Sequence, residues 1–175
     1  MLDAYAGQAR EVGRDALLIA ARWPAAAGIA PCADVVVCHH VVHDVAAIGP
    51  FVDALTAHAV RRVVLEMRAD HPLAWMNPLW KRFWSLPRPN GPGPVELAEV
   101  LAERGIVARV EPWEAAEDMP RGLASTSPAE GEQAVSAALR RLCLGESRRG
   151  EVREALAGTP LDVTRRLATV WWDVG

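Results

Sequence analysis

The stretch that most restricts how this chain can fold is Ala33-Asp34-Val35-Val36-Val37-Cys38-His39-His40-Val41-Val42-His43-Asp44. Consecutive β-branched valines favour extended backbone, and an apolar run without alternation suits a strand buried on both faces of a parallel sheet. The run stops abruptly in titratable side chains. In open α/β sheets, ligands bind outside the carboxyl ends of the strands. Cys38, His39, His40 and His43 therefore mark where a site is expected.

The remaining pattern alternates between helix and strand. Leu2, Tyr5, Ala6, Ala9 and Val12 recur at helical spacing, with Gly13 as the stop. Ala16–Ala20 reads as a short buried strand, closed by Arg22-Trp23-Pro24. A helix is expected over Ile48–Ala59 and a strand over Arg62–Met67, which ends beside the carboxylate of Glu66. Residues 70–94 read as an insertion rich in Trp and Pro, with a short amphipathic helix from Asn77 to Ser85. A helix from Val95 follows, ended by Gly105, then a strand over Ile106–Val110 and a polar loop over 114–128. Helices at Gly131–Cys143 and Glu151–Leu156 precede a last strand, Leu167–Asp173, free to return antiparallel. Such alternation predicts a single α/β layered domain over residues 1–175.

Composition narrows the partners. A net charge of −3 gives no electrostatic reason for a nucleic-acid partner. No apolar run approaches the roughly 20 residues of a membrane span. Cys32, Cys38 and Cys143 are odd in number and lack CxxC spacing, which points to a reducing, cytoplasmic setting. Lys81 is the sole lysine beside 18 arginines, the imprint of a GC-rich genome.

Arg22-Trp23-Pro24 after one strand, Ala33–Val41, Arg61-Arg62-Val63-Val64-Leu65-Glu66, His71-Pro72-Leu73-Ala74-Trp75-Met76-Asn77-Pro78-Leu79-Trp80 and the closing Ala168–Asp173 together set an order. That order resembles the C-terminal two thirds of a class I S-adenosylmethionine-dependent methyltransferase of the small bacterial type. The resemblance implies a Rossmann-like methyltransferase sheet, mostly parallel with an antiparallel C-terminal strand, and S-adenosylmethionine as cofactor. It also implies a methyl acceptor, which the sequence does not identify; a homodimer is a separate expectation for the partners.

One part of the family pattern is missing. Those enzymes open with a strand, a GxGxG loop, a helix and an acid-ended strand, and no GxGxG occurs in these 175 residues. Gly91 and Gly93 belong to a proline-interrupted turn instead. The chain thus resembles a truncated domain lacking its first two strands and impaired in cofactor binding. Those strands would separate Ala16–Ala20 from Val35–Val37, so direct pairing of these two segments is expected in their absence.

The resemblance puts Arg22, Trp23, Cys38 and His39 in the cofactor pocket, and His40 or His43 facing the acceptor as a base. Trp75, Asn77, Trp80 and Lys81 are the candidate acceptor-binding lid. Simpler readings stand beside each of these. Trp23 also suits a strand cap, the histidines also suit hydrogen bonding to loop backbone, and the Trp75–Trp84 segment also suits core packing. Glu66 suits a salt bridge to Arg61, Arg62 or Arg68. Metal binding is not expected, because successive strand residues point to opposite faces and few ligands converge. Two rival functions remain: a degenerate non-enzymatic domain acting in protein association, and a hydrolase with Cys38 as nucleophile. No GxSxG elbow surrounds Cys38 to favour the second.

Overall fold

The computed structural model describes residues 2–116, 128–157 and 164–175. Six helices accompany four strands among them: α1 (Leu2–Glu11), β1 (Ala33–His39), α2 (Ile48–His58), β2 (Ala59–Arg68), α3 (Asn77–Trp84), α4 (Pro94–Glu103), β3 (Arg109–Ala116), α5 (Pro128–Arg141), α6 (Arg149–Ala157) and β4 (Thr164–Asp173). The sheet order is β1-β2-β4-β3. β1 and β2 are parallel, and β4 runs antiparallel between β2 and β3. β1, β2 and β3 thus share one direction and β4 alone is reversed. A mostly parallel sheet with an antiparallel C-terminal strand is the arrangement the family resemblance implies.

Helix α2 carries Phe51, Val52 and Leu55 on one face, at spacings that bring them together on successive turns. They meet Val63, Leu65 and Met67 of β2, Val170 and Trp172 of β4, and Leu97 and Leu101 of α4 in one apolar core. Each such side chain contributes about 1.5–3 kcal/mol on burial, so alternate residues of β2 and β4 fix which face the helices cover. Helix α4 starts at Pro94, whose missing N–H costs nothing in a first turn. The carboxylate of Glu96 accepts the Gly93 N–H at 2.9 Å, and Gly105 ends the segment at φ +75°. A second apolar cluster, including Met76, Leu79, Val135, Leu139 and Leu142, joins α3, α5 and α6.

Four expectations are corrected. Ala16–Ala20 forms no strand and does not pair with β1. Residues 23–28 are held against α2 instead: Trp23 Nε1 donates to the Phe51 carbonyl at 3.4 Å, and His58 Nε2 lies 2.8 Å from the Ala27 carbonyl. β1 is consequently an edge strand rather than one buried on both faces. Val36 and Cys38 turn to the core, while Val35 and Val37 are 45% and 61% exposed. Finally, β3 begins at Arg109 rather than Ile106, and Ile106 and Ala108 pack against the core. The expected 114–128 loop is strand as far as Ala116, and its residues 117–127 lie outside those described.

Candidate functional site

The titratable cluster gathers at the carboxyl ends of β1 and β2. β1 stops at His39 because His40 adopts φ +56°, a left-handed conformation that breaks the alternation of side chains. The expected divergence of neighbouring histidines is thereby overturned. His40 Nε2 lies 2.9 Å from Glu66 Oε1, and His39 Nδ1 lies 3.9 Å from the same oxygen. The His40 backbone N–H also donates to the Glu66 carbonyl at 2.8 Å. Glu66 therefore serves the histidines rather than Arg62, which pairs with Asp173 at 2.7 Å. Its side chain is 19% exposed against 40% for His40, so the carboxylate braces an imidazole that solvent still reaches.

His43 follows in a short 3-10 turn anchored by buried Val42. Its Nδ1–H donates to the Pro92 carbonyl at 3.2 Å, and its Nε2 is buried. The ring meets His71 edge-on at 5.6 Å. Burial, and then the neighbouring His71, hold its pKa below 6.5 against the pull of the Pro92 and Arg68 backbone and of the Asp44 charge. His43 thus ties the end of β1 to a loop.

That loop is fastened at several points. The His71 N–H donates to the Asn90 carbonyl at 2.8 Å, and Asn77 Nδ2 donates to the carbonyls of Arg88 and Pro89 and to Asn90 Oδ1. Gly93 approaches so closely that a Cβ there would stand 2.6 Å from the Ala69 carbonyl oxygen. Sequence reading missed His71 and this strap. The signal available was a histidine shortly after the end of β2, with a Gly-Pro turn further on.

Of the candidate residues, the structure joins His39 and His40 through Glu66, with His43 anchored nearby in sequence. It does not bring Arg22 or Trp23 to them. Trp23 lies along α2, its ring meeting His58 edge-on at 4.9 Å, and the Arg22 side chain is exposed. Cys38 faces the core, and burial pushes its thiol up to about 11. Its burial in the core counts against the reading of Cys38 as a hydrolase nucleophile. Trp75 and Lys81 are exposed, Asn77 is occupied by the strap, and Trp80 packs on the second cluster with Arg88 5.1 Å from its ring centre. Among the described residues, no group of three or more His, Cys, Asp or Glu side chains is placed to hold a metal. No described helix is long and apolar enough to cross a membrane.

No protein-family model and no curated protein matches the sequence. Among solved structures, the chain is similar to magnesium protoporphyrin IX methyltransferase from Synechocystis PCC 6803, crystallised with bound SAH. The TM-score is 0.49 at 15% identity, over 97% of this chain and 58% of that one. It is also similar to a putative methyltransferase from Bacillus halodurans C-125, with TM-score 0.48 and 11% identity over 98% of this chain and 77% of that one.

Proposed function

We propose that this chain is the C-terminal part of an S-adenosylmethionine-dependent methyltransferase domain, impaired in cofactor binding as it stands. The observation that carries the reading is the β1-β2-β4-β3 order with β4 reversed, capped at the carboxyl ends of its parallel pair by His39, His40 and Glu66. The residues present do not fit the cofactor as a closed pocket. Trp23 is engaged on α2, Cys38 is turned into the core, and His39 points from the opposite side of β1. Within this wall His40, held by Glu66 and open to solvent, is the side chain suited to accept a proton from an OH or NH acceptor.

Calorimetric titration with S-adenosylmethionine tests the impairment. Binding weaker than about 100 μM, roughly 5.5 kcal/mol, is expected, and tighter binding overturns it. The coding sequence upstream of Met1 tests the family reading. An in-frame continuation through a strand and a GxGxG loop would support it, and an in-frame stop there would favour association as the function instead. The open edge of β1 is the observation that supports that second reading.

A further inference from the structure

His58 ends α2, and both of its ring nitrogens face carbonyl oxygens. Nδ1 lies 2.9 Å from the Ala54 carbonyl one turn back in the helix, and Nε2 lies 2.8 Å from the Ala27 carbonyl. A carbonyl oxygen only accepts, so each contact is a hydrogen bond only when that nitrogen carries a proton. A neutral imidazole has one N–H and turns the lone pair of its other nitrogen on an oxygen. Only the imidazolium satisfies both contacts at once. Its position favours that cation, because the last turn of a helix carries a partial negative charge.

The ring joins α2 to the turn that carries Trp23. Ala25–Gly28 form a short 3-10 turn with Ala26 buried, and the Ala26 carbonyl accepts the N–H groups of Ile29 and Ala30 at 3.0 and 2.9 Å. Trp23 meets His58 edge-on with ring centres 4.9 Å apart, and its indole N–H reaches the Phe51 carbonyl at 3.4 Å. That bond is long for N–H to oxygen, so the His58 contact with Ala27 is the shorter of the two side-chain ties. Other charges nearby are engaged elsewhere or exposed. Asp53 of α2 is taken by Arg104, Arg22 precedes the turn, Cys32 and Asp34 flank the first residue of β1, and Arg61 lies in β2. No described residue is ion-paired with His58.

We propose that His58 is a proton-operated latch between the C-terminal end of α2 and the Trp23 turn. With both ring protons it bridges the two. With one it donates to Ala54 or to Ala27 but not to both, and the bridge opens. The proton leaves to solvent, which reaches the partly exposed ring. Histidine is the side chain that makes this exchange near neutral pH. Trp23 then keeps only the long bond to Phe51 as a polar tie. Loss of a hydrogen bond from a charged donor should raise local opening of the turn about tenfold. The turn is therefore held at the acid end and loosens as pH rises, opposite in sense to the contribution of His43.

The test is nitrogen NMR of the full chain between about pH 5 and pH 9, with the His58 ring signals assigned through the backbone. At the acid end both ring nitrogens are expected in the protonated form, with the Ala27, Ile29 and Ala30 amides protected from hydrogen exchange. As the ring loses a proton, that protection, corrected for the intrinsic rise of exchange with pH, should fall about tenfold. The Trp23 indole signal should move with the same midpoint. In His58→Gln, which has no titrating ring, the three amides should show no such step. A ring that holds a single proton at every pH overturns the proposal, as does a ring that titrates while the turn and Trp23 stay unmoved. An equal fall of protection in β2 would mark global loosening and overturn the latch as a local device. These outcomes are read on the natural chain and do not need the variant to fold; a step that persists in His58→Gln overturns the proposal as well.

Discussion

His40 Nε2 lies 2.9 Å from Glu66 Oε1, so a side-chain contact reinforces the backbone bond between the ends of β1 and β2. The contact exists because His40 leaves the strand at φ +56°. In extended backbone its side chain would follow the alternation and point away from that of His39. A local departure from strand geometry thus converts two neighbouring histidines into a pair served by one carboxylate.

Position 40 is consequently sensitive to backbone shape. His40→Val puts a β-branched residue at a left-handed φ and loses the contact with Glu66. A loss of about 1–3 kcal/mol is expected in urea unfolding. His40→Gly loses the same contact but relieves the backbone, and should cost clearly less. Equal losses in the two variants would show that the conformation carries no strain.

His43 gives stability a pH dependence. Its folded pKa lies below the ordinary 6.5, with burial the larger cause and His71 the next. Its contribution is fully present above 6.5 and is lost as pH falls from there through the folded value. His43→Asn keeps a donor for the Pro92 carbonyl but does not titrate. The melting-temperature advantage of the natural chain over this variant should therefore shrink between about pH 7 and pH 5. An advantage that is constant with pH would contradict the assignment.

The three thiols should separate by reactivity. Cys32 and Cys143 are exposed, whereas Cys38 faces the core and its pKa is pushed up to about 11. At pH 8 its thiolate fraction is on the order of one part in a thousand. A disulfide reagent should modify two thiols rapidly in the folded protein and the third only on unfolding. Rapid modification of all three would place Cys38 outside the core.

Adjacent tryptophans on β4 should differ sharply in cost. Trp172 is 1% exposed in the main core and its Nε1–H donates to Thr56 Oγ1 at 3.1 Å. Trp171 lies on the opposite face with the Arg62 guanidinium 4.0 Å from its ring centre. Trp172→Ala should cost about 3–5 kcal/mol, and Trp171→Ala about 1–2 kcal/mol, from partial burial and a solvated cation–π contact. Guanidinium unfolding of the two variants reads the contrast directly.

Much of this architecture was legible in one dimension. Helical spacing in α2 and α4 and the short helix after Asn77 follow from periodicity, proline and glycine, whereas the reversal of β4 was implied by the family resemblance. The Val35–Val37 run was correctly extended, but its burial was not as expected. An unbroken apolar run carries no information on whether a neighbour is there to cover its second face. Glu66 was visible as a strand-end carboxylate, read either as part of a site or as a partner for a nearby arginine, because sequence proximity weighs nearby charges and cannot register the turn at His40.

The sequence by itself determined which segments are helical or extended, since those periodicities arise from contacts within a few residues. Only the tertiary structure decided that Ala16–Ala20 stays out of the sheet, that β1 keeps an open edge and that His39 and His40 share Glu66. A strand is completed by hydrogen bonds to another segment, and a site by side chains distant along the chain. Both depend on where the anchored loop at Trp23 and the strap at Pro92 hold the backbone.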